Sequence, residues 1–208
     1  MIFSVLILLL FFLWGRRLWL NRKTMDKFDK IYQLLLFIPL FLFITYQTRV
    51  LPGSQTISDR LYVEELTGQA FWTKQLYEYI PSRAFNGDGY SLNIFSINEE
   101  VSENLIEPNG TFYSNYPKSS RVKWIKQKWK KTPVEYLDQK FLDFALPVYG
   151  GNRNSGLTNK YRMIRKLLNK KGSYYSYTAN MSGERVMDID FYVLSPKDKI
   201  IITINHNM

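Results

Sequence analysis

The chain of 208 residues contains no cysteine and a single histidine, His206. Disulfides, thiolate nucleophiles and cysteine-based zinc sites are therefore excluded. One histidine cannot build a histidine-rich metal centre, and a Ser-His-Asp triad would depend on a residue near the end of the chain. We interpret His206 as a surface residue at the end of a strand, and we expect neither a metal nor a cofactor.

Acidic residues are few compared with basic ones: 18 Asp and Glu face 28 Lys and Arg, which gives a formal net charge of +10. With 46% hydrophobic and 16% aromatic residues, the chain can bury a core and does not have a disordered composition. The apolar residues are concentrated in the first 50 positions. The rest of the sequence is typical of a soluble domain.

Two apolar runs, Ile2 to Trp14 and Ile31 to Tyr46, dominate that first part. As helices they would cover roughly 20 and 24 Å, so each must extend into its flanks to cross a hydrocarbon core of about 30 Å. We predict transmembrane helices at about 2–20 and 31–47. A cleaved signal peptide is the alternative for the first run, which has neither a basic segment before it nor a small-x-small site after it.

The loop between the runs is basic, which predicts its side of the membrane. Under the positive-inside rule it lies in the cytoplasm, and the residues after the second run face outward, to the periplasm or the cell surface. We therefore predict a two-pass protein of the cytoplasmic membrane, with a transmembrane hairpin at 1–50, a linker at 51–57 and an extracytoplasmic domain at 58–208. The charged residues of the loop are Arg16, Arg17, Arg22, Lys23, Lys27 and Lys30 with Asp26 and Asp29.

The domain after the linker has the pattern of an α+β fold. Residues 90–97 alternate like a strand, and 173–181, 185–194 and 199–206 form three further strand-like runs joined by tight-turn residues. This predicts a C-terminal β-meander within an antiparallel sheet that has helices on one face. Helices are predicted at 58–80, 121–131, 134–146 and 157–169, whereas 98–115 is predicted to be mostly loop.

The segment Asn86-Gly87-Asp88-Gly89 precedes the first long strand. It is too short for a calcium loop, and it lacks the lysine and the helix start of a phosphate loop. We interpret it as a glycine-permitted turn, in which Asp88 is only a weak candidate for an acidic site.

Two more acids form the other weak catalytic candidate. Asp188 and Asp190 share one face of a strand because they are two positions apart. Such a pair could bind a hard cation or divide acid and base roles. The alternative is that they lie on the solvated side of an amphipathic strand whose apolar residues point the other way.

The basic segment 121–131 has two interpretations: a surface that binds an anionic partner, or a solvated helix whose aliphatic lysine stems cover the core. On a helix, Val122, Ile125 and Trp129 would share an apolar face surrounded by cations. Outside a membrane, lipid headgroups or an anionic envelope polymer fit this surface better than nucleic acid does. Its members are Lys123, Lys126, Lys128, Lys130, Lys131 and Trp124, and a second cluster holds Lys160, Arg162, Arg165, Lys166, Lys170 and Lys171.

Three short motifs resemble a group of uncharacterised small bacterial proteins that are membrane-anchored or lipoprotein-like. They are residues 84–89, which end in Gly-Asp-Gly, the Trp129–Pro133 stretch, and the strands at 188–193 and 200–203. The resemblance implies a closing β-meander and assigns no activity. The chain departs from the group in its two-helix anchor and in having Ala84 where the group often has glycine.

These observations favour a non-enzymatic function. We expect a membrane-anchored extracytoplasmic binding protein whose partner is a protein or an anionic envelope component. One form is an immunity-type protein that neutralises a toxin at the envelope. The alternatives are an envelope hydrolase that uses the three acids, and an accessory subunit of a membrane complex.

Overall fold

A computed structural model describes residues 54–81, 89–119, 121–147 and 155–208, together with isolated positions between 14 and 42. Two compact units divide the chain, Met1–Ile57 and Ser58–Met208. No helix formed by described residues combines the length and the hydropathy that a membrane span requires. Most of both apolar runs lies outside the described residues, as do Gly87 and Asp88.

The second unit is built from strands and helices in mixed order. The chain runs through α1 (Ser54–Thr67), which begins inside the predicted linker, and then β1 (Gln75–Tyr79), β2 (Gly89–Ser96), α2 (Glu99–Ile106), α3 (Gly110–Asn115), β3 (Ile125–Lys131), a 3-10 turn (Tyr136–Asp138), α4 (Gln139–Ala145), α5 (Ser155–Leu168), β4 (Tyr174–Ser182), β5 (Arg185–Ser195) and β6 (Ile200–Asn207).

The six strands form one antiparallel sheet in the order β1-β2-β6-β5-β4-β3. This confirms the predicted α+β class and the C-terminal meander of β4, β5 and β6. The turn between β4 and β5 contains Gly183 at a φ of 61°, a conformation that favours glycine. β2 pairs along its whole length with β6, from Gly89 opposite Asn207 to Ser96 opposite Ile200.

Both faces of the sheet are covered, so the prediction of helices on one face was wrong. On one face, α4 and α5 contribute Phe141 and Ile164 to a buried cluster that contains Leu92, Phe191 and Ile202 from the strands. On the other face, residues of α1, α2 and α3 form a second cluster with the side chains that point the opposite way. Its members include Val63, Leu66, Val101, Leu105, Phe112, Phe95, Tyr192, Leu194 and Ile201.

Double-sided burial follows from the strand sequences. In β2, Leu92 and Ile94 belong to the first cluster, whereas Phe95 belongs to the second. Successive side chains of a strand point to opposite faces of the sheet. A strand with apolar residues at both odd and even positions must therefore be buried on both faces. The mixed apolar pattern at 90–97 predicts a strand covered on both faces, and the structure confirms that prediction.

The predicted basic helix at 121–131 was also wrong, because residues 125–131 form strand β3. Trp129 is 2% exposed, whereas its supposed helical partner Val122 is 90% exposed. Pairing with β4 sets the register, with Ile125 opposite Ala179 and Lys131 opposite Tyr174. The spacing of three and four residues fitted a helix locally, but pairing with a strand about fifty positions later decided the structure.

Two other segments differ from their predictions. Residues 71–80 do not continue the first helix, since α1 ends at Thr67 and 75–79 form β1. The polar segment 98–115 contains helices α2 and α3, and the side chains of Asn98 and Asn109 accept hydrogen bonds from their first turns. Acid-rich composition suggested a loop there, while the two Asn N-caps were the missed helix signals. α4 and α5 fall within the helices predicted at 134–146 and 157–169 or within two residues of them.

Candidate functional site

Two of the three predicted acids can be placed in the described part of the chain. Asp88 lies outside the described residues. Asp188 and Asp190 do share one face of β5, and each is hydrogen-bonded to an amide. Asn180 Nδ2 donates to Asp188 Oδ2 over 2.8 Å, and Asn205 Nδ2 donates to Asp190 Oδ1 over 2.6 Å. The pair is thus part of side-chain contacts across the meander.

Asp190 is not simply a solvated acid, because it is largely covered. Burial raises its pKa above the ordinary value, Asp188 raises it further, and the hydrogen bond from Asn205 and the charge of Arg121 act in the opposite direction. The Arg121 Nε lies 3.6 Å from Asp190 Oδ2, and its guanidinium stacks 4.3 Å from the ring centre of Trp124. Asp190 is therefore a covered acid with a raised pKa.

Two cavities of the described chain lie elsewhere. One of about 410 Å³ has a polar lining that includes Gln69 and Asn104. The other, of about 730 Å³, opens beside Phe144 and Met187. Asp188 and Asp190 line neither of these, and the described residues contain no cluster of three metal-ligating side chains.

The predicted basic residues lie on and beside β3, and four of the lysines form internal contacts, among them Lys131, whose Nζ lies 5.9 Å from the ring centre of Tyr113. Lys126 Nζ donates to the Ser119 carbonyl, and Lys128 Nζ donates to the carbonyls of Asn115 and Pro117. Burial lowers the pKa of Lys128, and the charge of Lys126 lowers it further. These lysines hold residues 115–119 against the outer side of β3 by hydrogen bonds.

Lys130 contributes to a buried network that the sequence did not reveal. Asp138, 4% exposed, accepts hydrogen bonds from the Tyr175 hydroxyl (2.7 Å), the Tyr177 hydroxyl (2.7 Å) and Lys130 Nζ (2.9 Å). Lys130 Nζ also donates to Glu135 Oε2 over 2.7 Å. All three donors are satisfied, and the carboxylate has little room for a further ligand.

The electrostatics of this network differ from those of Asp190. Burial of the Asp138 carboxylate opposes ionisation, but hydrogen bonds from Tyr177, Tyr175 and Lys130 outweigh it and hold the Asp138 pKa below its ordinary value. The pKa of Lys130 is raised, because its carboxylate partners outweigh its desolvation by burial. The only sequence signal was the Tyr175-Ser176-Tyr177 pattern, which places two tyrosines on one face of a strand.

His206 is buried, contrary to the prediction of a surface residue. Its Nδ1 lies 2.7 Å from the Phe144 carbonyl oxygen, and its ring stacks on the Phe144 ring at a centroid distance of 4.5 Å. Tyr90 packs edge-on against it at 5.6 Å. Its position in β6, between β2 and β5 and against Phe144 of α4, explains this burial, and its contacts are those of a core residue.

The two edges of the sheet differ in what covers them. At β3, the backbone N–H of Trp129 donates to the Tyr116 carbonyl, and residues 115–119 run alongside the strand. At the opposite edge, β1 pairs only with β2 among the described strands. Large apolar side chains are exposed there, and Arg60 lies 4.8 Å from the ring centre of Trp72. We call this the edge surface and define it as Leu61, Trp72, Leu76 and Ile80 with Arg60.

No protein-family model, curated protein or solved structure matches this chain. The resemblance drawn from the three short motifs therefore depends on those motifs alone.

Proposed function

We propose that the chain is a membrane-anchored extracytoplasmic binding protein that acts by association with a protein partner. The observation that carries this proposal is the edge surface. Trp72 is 60% exposed, and Leu76, which lies in the edge strand β1, is 53% exposed. Exposed edges with apolar side chains are aggregation-prone unless something covers them. A functional partner is the cover that we propose.

The chemistry of the edge surface fits a polypeptide partner. An edge strand offers a row of backbone donors and acceptors, which another strand can pair with, while neighbouring side chains supply specificity. Tryptophan and arginine are the residues that most often carry binding energy at protein interfaces, and Arg60 stacks on Trp72.

Anchoring is part of the proposal and depends on the sequence of the first 50 residues. Two apolar runs with a basic loop between them support a hairpin at about 2–20 and 31–47, with residues 58–208 outside the cytoplasmic membrane. An immunity-type protein and an accessory subunit would both use such an anchored binding domain. The identity of the captured partner separates these two forms.

The test uses a photo-cross-linking amino acid placed at Leu76 of the full chain in its native cells. We expect one discrete covalent adduct with a protein, which mass spectrometry identifies, and we expect Trp72→Ala to abolish it. The same photo-cross-linker at Glu103, an exposed residue of α2, is the matched control and should give no such adduct. Absence of an adduct at Leu76, or equal adducts at both sites, would contradict the proposal.

The anchor is tested separately with single cysteines, which the cysteine-free sequence allows. In intact spheroplasts, a membrane-impermeant maleimide should label Glu103→Cys and leave Lys27→Cys, in the basic loop, unlabelled until the cells are lysed. Labelling of both sites, or of the loop alone, would show that the topology is wrong.

A further inference from the structure

The 3-10 turn between β3 and α4 exposes two large apolar side chains. Tyr136 is 92% exposed and Leu137 is 78% exposed. They project from a convex turn and line neither of the two cavities described above. The edge surface is a different region, since its residues lie on α1, β1 and their connection. We call Tyr136 and Leu137 with the surrounding lysines the turn surface.

The turn is rigidly held beneath these exposed side chains. Asp138, the third residue of the turn, is fixed by the buried network of two tyrosines and Lys130. On the other side, the Glu135 N–H donates to the Tyr175 hydroxyl oxygen over 3.2 Å, and the Val134 N–H donates to the Leu168 carbonyl over 3.1 Å. A turn fixed at both ends presents its apolar side chains without a further loss of backbone freedom on binding.

Lysines from two segments, the start of α4 and the residues after α5, lie near the exposed pair. The Thr132 hydroxyl donates to the Lys170 carbonyl, which brings the end of α5 beside the start of the turn. Lys140 follows Tyr136 by four positions and so lies one helical turn away. The acids of the turn are occupied, because Glu135 and Asp138 both pair with Lys130. The exposed lysines of the turn surface are Lys140, Lys170 and Lys171, whereas Lys131 points to the other face of the sheet, where its Nζ lies 5.9 Å from the ring centre of Tyr113.

We infer that the turn surface docks the second unit onto an anionic bilayer. A convex tip with one tyrosine and one leucine suits the membrane interface, where tyrosine lies at headgroup level and leucine enters the acyl boundary. Lysines around such a tip meet anionic headgroups. The anchor proposed above would bring a bilayer within reach of this unit, and the inference rests on that anchor. It goes beyond the proposed function because it uses a surface other than the protein-binding one.

The experiment follows the emission of an environment-sensitive fluorophore on Leu137→Cys, the single cysteine of the full chain. The protein is reconstituted into vesicles of phosphatidylcholine alone or with phosphatidylglycerol. We expect a blue shift only in the anionic vesicles, and we expect high salt or the Lys170→Gln/Lys171→Gln variant to abolish it. The control, Glu103→Cys on the other face of the sheet, should show the same emission in both lipids.

Three results would overturn the inference. The first is identical emission of the Leu137→Cys label in both vesicle types, and the second is an equal shift of the control label. The third is a shift in phosphatidylcholine vesicles when polyglutamate is added, since that would assign the turn surface to an acidic polypeptide. None of these results bears on the Leu76 cross-link, so the two proposals fail independently. The lysine pair is exposed, so its substitution should leave the circular dichroism spectrum unchanged.

Discussion

Asp138 and Asp190 lie on opposite faces of the same sheet, and their pKa values are displaced in opposite directions. Both carboxylates are partly desolvated. Asp138 receives hydrogen bonds from two tyrosines and a lysine, whereas Asp190 receives one from Asn205 and has Arg121 at 3.6 Å. The difference indicates that the number and strength of donors, together with burial, decide whether the pKa of a covered carboxylate is lowered or raised.

This comparison also assigns different roles to the two acids. Asp138 has a structural role, because its charge holds the turn that carries Tyr136 and Leu137. Asp190 is a covered acid whose charge the fold tolerates but does not need. A raised pKa in a concave site would favour catalysis, yet Asp190 lines neither of the two cavities described. The predictions below change one member of the comparison at a time.

The largest effect is expected for Asp138→Ala. Loss of this acceptor leaves two tyrosine hydroxyls and Lys130 without their shared partner, and we expect the free energy of unfolding to fall by about 2–4 kcal/mol. Urea denaturation followed by circular dichroism measures this change. Asp143→Ala is the control, since Asp143 is exposed and its ion pair with Arg165 should contribute at most about 0.5 kcal/mol. Similar losses for both variants would refute the structural role of Asp138.

Tyr177→Phe should have a smaller effect, because it removes one of the donors and leaves the ring in place. We expect the free energy of unfolding to fall by about 1.5 kcal/mol, the usual contribution of a hydrogen bond to a charged group. The Asp138 pKa should rise at the same time. Tyr136→Phe removes an exposed hydroxyl and should change neither quantity. If the two variants behaved alike, the Tyr177 hydroxyl would not be stabilising Asp138.

The smallest effect, and one of opposite sign, is expected for Asp190→Asn. The new amide oxygen can still accept from Asn205, and a partly desolvated charge disappears. At neutral pH the free energy of unfolding should stay the same or rise by up to about 1 kcal/mol. The measurement is the same urea titration. A fall in the free energy of unfolding comparable to that of Asp138→Ala would mean that Asp190 also has a structural role.

Much of the sheet could be predicted because its signals are local. β4, β5 and β6 are rich in aromatic and β-branched residues over eight residues or more and are joined by short turns, so their composition and turn chemistry agree. β2 carried both its strand character and, in its mixed apolar pattern, its burial on two faces. The helices α4 and α5 were recognisable from their apolar spacing for the same reason.

The errors arose where distant contacts decide the structure. Residues 121–131 fit a helix and a strand about equally, and only pairing with β4 selects the strand. The Asp138 network joins residues 130, 138, 175 and 177, which no motif spacing connects in the sequence. His206 was misplaced because position near the chain end suggested exposure, whereas β6 lies in the middle of the sheet.

The claim that the pKa of Asp138 is lowered and that of Asp190 is raised is tested most directly by a carboxyl ¹³C NMR titration of the folded full chain. Asp138 should titrate below the ordinary aspartate pKa of about 3.9, and Asp190 above it. Stability due to Asp138 should then be lost as pH falls through its folded pKa, while the destabilisation due to Asp190 should be relieved as pH falls through its own. Equal titration of the two acids, or the reverse order, would contradict the account.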